Sequence, residues 1–266
     1  MPTHPSQFRK LRILVAEDNE INQKIIMLLL EKMGHSVYAV FNGEQALETL
    51  GKRRFDVVLM DVQMPVLDGL ETTRRIRAEL PTEEQPKIIA LTAAVAAINR
   101  EQCIAAGMDG FISKPVGAAQ LRDALLRVSS NSVKLGTALD ESGPIADDQF
   151  NFRNLEDMAK LERDGASGLL DKVVGTYQSN TRSAIALLWD AIAWEDSTAL
   201  HRTAHSLKGS SRQIGATKLG DLCEQLEGST QVEQTRKIME KIEDGFQQTE
   251  AFLSEFCKKI QDRTGK

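Results

Sequence analysis

The sequence predicts two domains of different class. The first is an α/β domain, a doubly wound five-stranded parallel sheet with helices on both faces; the second is an all-α helix bundle. Three observations carry this. Short apolar runs of strand type alternate with amphipathic helical stretches five times within residues 8–129. Residues 130–149 are rich in Ser, Gly, Asp and Thr with little periodicity, and read as a linker. Over residues 150–262 only helical periodicity remains.

The elements follow in order. Arg12–Ala16 is an apolar strand, and Asn19–Met33 is helical and stops at Gly34. Val37–Val40 is a short strand and Gly43–Leu50 a helix. Val57–Met60 is a continuous apolar run, a strand buried on both faces, as parallel sheets require. Leu67–Leu80 is a helix closed by Pro81, and Lys87–Leu91 a fourth strand. Ile98–Ala106 is a helix ended by Gly107, Gly110–Ser113 the fifth strand and Ala118–Val128 the last helix of this half. The bundle is expected to use Asn151–Arg163, Ser167–Ala193, Ser197–Ile214, Thr217–Leu226 and Val232–Lys259, with Ser197 as an N-cap and Gly215 ending its helix.

Composition narrows the function. A net charge of −5 and a pI of about 5.5 argue against broad nucleic-acid binding. Residues 151–266 hold 16 Lys+Arg against 18 Asp+Glu, so the second half is not basic either. No apolar run reaches the roughly 18–20 residues that span a bilayer, and Met1–Lys10 has no apolar signal core. Three well-separated cysteines, Cys103, Cys223 and Cys257, suggest reduced thiols and a cytoplasmic location. There is no Gly-rich nucleotide loop, so no ATP-dependent kinase activity is expected of this chain.

The chemistry gathers at strand ends. The first strand runs into Glu17-Asp18-Asn19, the third into Asp61, the fourth into Thr92 and the fifth into Lys114-Pro115. In a doubly wound sheet these ends share one rim, where ligands bind. Taken singly, Asp18, Asn19 or Thr92 is a helix cap and Lys114 a solvated lysine. Together they are three carboxylates, a hydroxyl and an ammonium in one pocket. Clustered carboxylates repel unless a cation intervenes, and Mg²⁺ suits one or two carboxylates with waters and phosphate oxygens. Lys114 can meet a phosphoryl group as a point charge.

The stretches LRILVAEDN, VVLMDVQMPVLDG, ALTA and FISKPV resemble a two-component response-regulator receiver domain over its whole length. The resemblance implies the flavodoxin-like strand order 2-1-3-4-5, with Asp61 as phospho-acceptor. It implies Mg²⁺ held by Asp18, Asp61 and the backbone carbonyl of Gln63, with Glu17 acting mainly through water. It further implies that Thr92 and Phe111 form the switch, Thr92 moving toward the phosphoryl group and Phe111 changing rotamer, and makes Lys114–Pro115 a cis candidate.

In the second half, AHSLKGSSRQIGA places Ala204, Leu207, Ser211 and Ile214 on a core-facing stripe, with His205 beside it toward solvent. Lys208, Gly209 and Arg212 follow on the same side. Residues 201–218 contain Arg202, Lys208, Arg212 and Lys218 and no acid, a basic patch suited to a carboxylate-lined partner. Plain alternatives are a surface histidine on an amphipathic helix, or a metal pair of His201 and His205. The segment resembles the phospho-acceptor helix of histidine-containing phosphotransfer (HPt) domains. That implies phosphorylation of His205, charge neutralisation by Lys208 and clearance at Gly209; with Arg202 and Arg212 of the basic patch, Gly209 is expected to face the partner.

The function expected is that of a phosphorelay intermediate. Asp61 would receive a phosphoryl group from a sensor histidine kinase, and His205 would exchange phosphoryl groups with receiver aspartates, including a downstream response regulator. The rival is a phosphorylation-gated sequestration module in which Asp61 controls partner release. Met1 weakly favours a stand-alone protein over the C-terminal part of a hybrid sensor kinase.

Overall fold

The computed structural model describes residues 9–92, 97–129, 150, 155–156, 159, 168–229 and 231–264. The expected linker and nearly all of the expected helix Asn151–Arg163 lie outside these residues. Two compact units are present, Met1–Leu139 and Asp140–Lys266.

In the first unit the strands are β1 Arg12–Ala16, β2 Ser36–Val40, β3 Val57–Asp61, β4 Lys87–Thr92 and β5 Gly110–Ser113. They form one parallel sheet in the order β2-β1-β3-β4-β5, as expected. The helices are α1 Glu20–Lys32, α2 Gly43–Lys52, α3 Gly69–Glu79, α4 Ala97–Ala106 and α5 Ala118–Ser129. All five β3 residues are buried, because helices cover both faces of the central strand. Leu14, Val58, Met60, Ile88 and Ala90 point to one face and pack with Leu50, Ile76 and Cys103 of α2, α3 and α4. Ile13, Val15, Val57, Leu59, Ile89 and Leu91 alternate to the other face and are equally buried. Burying each large aliphatic side chain contributes about 1.5–3 kcal/mol, so β3 fixes where its last residue, Asp61, stands.

Several ends differ from expectation for local reasons. α3 begins at Gly69 rather than Leu67, because the Leu67 N–H donates to Pro65 O (2.9 Å) and the Gly69 N–H to Val62 O (3.1 Å). Asp68 then caps the helix, its Oδ1 accepting from the Glu71 N–H at 2.7 Å. A 3-10 turn, Thr82–Glu84, follows α3 and was not expected.

The rim at the strand N-termini is closed by Arg77 of α3. Its guanidinium donates to Gly107 O (2.9 Å), Pro86 O (2.9 Å) and Asp109 Oδ2 (2.7 Å). Asp109 also accepts from Lys87 Nζ (2.8 Å) and from the Ile88 N–H (2.9 Å). Gly107, at φ +96, leaves room for this arm: a Cβ there would stand 2.9 Å from Arg77 Cγ.

In the second unit the helices are α6 Leu169–Ala193, α7 Ser197–Ile214, α8 Thr217–Glu227 and α9 Val232–Thr264. α7 packs on α6 and α8, and α9 packs on α6 and α8. Short connections make successive helices antiparallel. The N-cap of α7 is Asp196, not Ser197; its Oδ1 accepts from the Ala199 N–H at 2.9 Å. Gly215, left-handed at φ +96, ends α7 as expected. α9 runs past Lys259 to Thr264, carrying its apolar stripe on through the buried Ile260. Ala204, Leu207, Ser211 and Ile214 are all buried, as their spacing requires. The fully buried Tyr177 reaches Ser211 Oγ with its hydroxyl at 3.1 Å.

His35 ties the start of β1 to the end of α1. It is buried, and its Nδ1 accepts the Leu11 N–H at 3.3 Å, a bond only the neutral ring can make. Burial holds its pKa below the ordinary histidine value of 6.5. The native state therefore binds fewer protons than the unfolded chain. Its contribution is fully present above about pH 6.5 and is lost as pH falls toward the lowered native value. Between pH 7 and pH 5 the wild-type melting temperature should fall more steeply than that of His35→Gln, whose amide oxygen accepts the same bond without titrating. Parallel melting curves for the two proteins would contradict this.

Candidate functional site

Four strand ends build the first cluster. Lys114, just past β5, reaches across the rim to Asp61 Oδ2 (2.6 Å) and to Glu17 Oε2 (2.8 Å) and Oε1 (3.0 Å). Asp61 Oδ1 accepts the Gln63 N–H at 3.1 Å. Oxygen atoms of Glu17, Asp18 and Asp61 all lie within 4.8 Å of one another. Glu17 and Asp61 are buried and Asp18 is half-buried. Thr92, the last residue of β4, is buried beside Ser113 in register, and its carbonyl accepts the Lys114 N–H at 2.7 Å. The Lys114–Pro115 peptide is cis.

Gly69 lets α3 start directly beneath Asp61, since a Cβ there would fall 2.0 Å from Asp61 O. Asn19 caps α1, its Oδ1 accepting from the Ile21 and Asn22 N–H groups at 3.0 and 3.2 Å. That cap does not remove Asp18 from the cluster.

Charge balance sets the chemistry. Desolvation alone would lower the Lys114 pKa, but Asp61 and Glu17 outweigh it and raise it, so the side chain stays an ammonium. Burial pushes the Glu17 carboxyl up; Lys114 opposes this, and the neighbouring charge of Asp61 adds to it. One ammonium is thus shared by two carboxylates, Asp61 and Glu17, with Asp18 the third acid of the cluster. Glu17 Oε2 is buried and, despite its ion-pair distance to Nζ, makes no hydrogen bond. An all-oxygen donor set, three acids within 4.8 Å of one another with one half-buried, fits a hard divalent cation.

The second cluster lies between α7 and α8. His205 is half-buried, its side chain 28% exposed, and its Nδ1 lies 2.9 Å from Glu227 Oε1. The other Glu227 oxygen accepts from Lys208 Nζ at 2.5 Å. Burial alone would raise the Glu227 carboxyl, but the hydrogen bonds from His205 and Lys208 outweigh it and hold it below the ordinary carboxylate value. The expected basic patch is therefore corrected. Lys208 is buried rather than solvent-facing, and Arg212 pairs with Asp221 and Glu224, both at 2.8 Å. The acids absent from 201–218 arrive from α8. Arg202 and Lys218 remain exposed, and Gly209 is half-buried. His201 and His205 stack with ring centroids 6.4 Å apart.

The model of the response-regulator receiver domain matches residues 13–126, and that of the Hpt domain matches residues 172–252. The chain carries a receiver domain followed by an Hpt domain. Sensor protein GacS of Pseudomonas syringae pv. syringae is 32% identical over 84% of this chain and 25% of its own length. The histidine-protein kinase BarA of Shigella flexneri is 30% identical over 82% of this chain and 24% of its own. The chain thus spans about a quarter of the length of these two relatives. Among solved structures, the receiver domain of a sensor histidine kinase from Pseudomonas aeruginosa PAO1, crystallised with a magnesium ion in its active-site cleft, is 39% identical. That match covers 46% of this chain and 99% of that one, with a TM-score of 0.42. Receiver and Hpt domains are the components of phosphorelay signal transduction.

Three site residues escaped the sequence reading. Glu227 stands 22 positions from His205 and enters only through the packing of α8 on α7. Asn22, in the first turn of α1, donates from Nδ2 to Glu17 Oε1 at 2.7 Å. Arg100 of α4 lies over the half-buried Phe111 ring, 5.3 Å from its centroid. Of the three, Asn22 alone carried a local signal, a polar residue one turn into an amphipathic helix.

Beside Asp61 the receiver stores strain. Val66 has φ +71 and is spanned by the Leu67 N–H to Pro65 O bond, a tight three-residue turn that β-branched residues rarely occupy. It is 73% exposed, so packing does not compensate. Val66→Gly should raise receiver stability by roughly 1 kcal/mol in urea denaturation, against the loss usual for Val→Gly. A lower denaturation midpoint would show that the turn is not strained.

Proposed function

We propose that this chain is a phosphorelay intermediate in which Asp61 accepts a phosphoryl group from a sensor histidine kinase and His205 exchanges phosphoryl groups with receiver aspartates. The observation that carries the reading is the pairing of two complementary centres: a carboxylate braced by an ammonium, and an imidazole braced by a carboxylate.

At the receiver, an Asp61 oxygen attacks the phosphorus of a partner phosphohistidine in line. An O–P bond forms, the N–P bond breaks, and its electron pair returns to the imidazole nitrogen. Gln63 N–H and Lys114 hold the carboxylate in place; Lys114 also neutralises the phosphoryl oxygens, and the Thr92 hydroxyl donates to one of them. Asp18, Asp61 and the Gln63 carbonyl would hold Mg²⁺, with Glu17 acting through water, and the ion would supply further charge neutralisation. Thr92 and Phe111 then carry the switch, and Arg100 grips the Phe111 ring.

At the Hpt domain, Glu227 holds the proton on Nδ1, so Nε2 presents its lone pair. Nε2 attacks the phosphorus of an aspartyl phosphate, the N–P bond forms and the carboxylate leaves. The positive charge that develops on the ring faces the Glu227 carboxylate, the logic by which a buried acid orients a catalytic histidine. Lys208 is anchored by Glu227 with its charge beside the ring; Gly209, Arg202 and Arg212 face the incoming receiver. A sequestration module, with His205 a bystander, leaves the Glu227 clamp without a purpose. A cytoplasmic location fits chemistry that depends on kinase partners and on Mg²⁺.

In a purified transfer assay, Asp61→Asn should abolish labelling of the receiver by the kinase, while a phosphorylated receiver domain added in trans should still label His205 as acid-labile, base-stable phosphohistidine. His205→Gln should abolish passage to a downstream receiver while Asp61 still labels. Undiminished passage through His205→Gln would remove the relay reading. Glu227→Gln, which keeps a hydrogen-bond acceptor but loses the charge, should slow phosphorylation of His205 on the order of 100-fold. It should also shift the His205 ring nitrogens in NMR; unchanged rate and shifts would relieve Glu227 of this role.

A further inference from the structure

Beside the acid cluster one buried amide oxygen, Asn22 Oδ1, has no hydrogen-bond donor, and Glu17 Oε2 is met only by the Lys114 ammonium at 2.8 Å, outside hydrogen-bond geometry. A buried amide oxygen left without a donor is an unfavourable arrangement for a fold to keep.

The amide cannot turn round to relieve this. Asn22 Nδ2 donates to Glu17 Oε1 at 2.7 Å, and a flipped amide would set carbonyl oxygen against carboxylate oxygen. Nor can Glu17 move away. Its N–H donates to Val40 O (3.1 Å), its carbonyl accepts from Gln23 Nε2 (3.2 Å), and Oε1 also receives Lys114 Nζ (3.0 Å). The Asn19 cap places Asn22 at the third helical position of α1, where a polar side chain commonly folds back to the cap backbone. Asn22 instead reaches the end of β1. It is 3% exposed and Glu17 is fully buried, so bulk solvent does not serve either acceptor.

A hydrated divalent cation supplies what is missing. Mg²⁺ keeps several waters, and each polarised water offers strong O–H donors around the ion. We propose that Asn22 is a positioning residue for the cation: its Nδ2 fixes which Glu17 oxygen is held and which stays open, and its Oδ1 joins Glu17 Oε2 in accepting hydrogen bonds from water on the ion. This rests on the magnesium reading above and deepens it. Asn22 touches neither the ion nor the phosphoryl group; it acts through Glu17 and through the ion's water.

The test is Mg²⁺ affinity of the full chain, measured by isothermal titration calorimetry without any phosphodonor. Asn22→Leu, similar in volume but without polar atoms, and the smaller Asn22→Ala should each weaken Mg²⁺ binding about tenfold, the loss typical of an outer-shell partner. Each should also keep a cooperative melt in EDTA, since both remove an unsatisfied acceptor. In the wild type, MgCl₂ should shift the Asn22 side-chain amide signals in the ¹⁵N–¹H spectrum with the same midpoint as the heat of binding. Wild-type affinity in either folded variant, or an Asn22 amide signal that ignores Mg²⁺, overturns the role of Asn22 and leaves the relay reading intact. Absence of Mg²⁺ binding by the wild type overturns both.

Discussion

One ammonium group organises the receiver. Lys114 Nζ stands within hydrogen-bond distance of Asp61 and Glu17, and so joins the ends of β1, β3 and β5 across a gap that like charges would otherwise widen. Desolvated and flanked by two acids, it has no neutral form available at ordinary pH. The apolar strands below it matter to function because they hold the Glu17 and Asp61 carboxyls close together beside it. Everything proposed for Asp61 depends on that enforced proximity, since a nucleophile with excess negative charge around it is already prepared for a cationic or electron-poor visitor.

The Hpt domain solves the reverse problem. There the group proposed to react is an imidazole, and the supporting group is an acid, Glu227, rather than an ammonium. Glu227 also anchors Lys208, so one carboxylate arranges both the ring and the neighbouring cation. The two centres are electrostatic complements of each other: an acid braced by a cation in one domain, an imidazole braced by an acid in the other.

Much of this was legible in the sequence because it is written in short-range patterns. The five strands and the four strand ends follow from apolar runs punctuated by Asp, Thr and Lys, and parallel topology gathers those ends on one rim; the strand order came from the resemblance of the motifs to receiver domains. Shortfalls came where local chemistry competes at an element's edge, as when Asp196 rather than Ser197 caps α7, or when the Pro65–Leu67 turn delays α3. The larger misses, Glu227 and the neutralisation of Arg212 by Asp221 and Glu224, depend on how α8 lies against α7. No periodicity within either helix encodes that register. Lys208 shows the difference well: on a helical wheel it is a surface cation, and only the neighbouring helix makes it a buried one.

The Arg77 clamp at the opposite rim divides the labour within a single sheet. One edge is stitched shut by a guanidinium shared between two backbone carbonyls and the side chains of Asp109 and Gln85, while the other is left electrically unfinished. Variation in this domain should therefore sort by rim. Changes at the stitched edge alter how long the molecule lasts, and changes at the unfinished edge alter whom it answers, so relatives can diverge in partnership without renegotiating their durability.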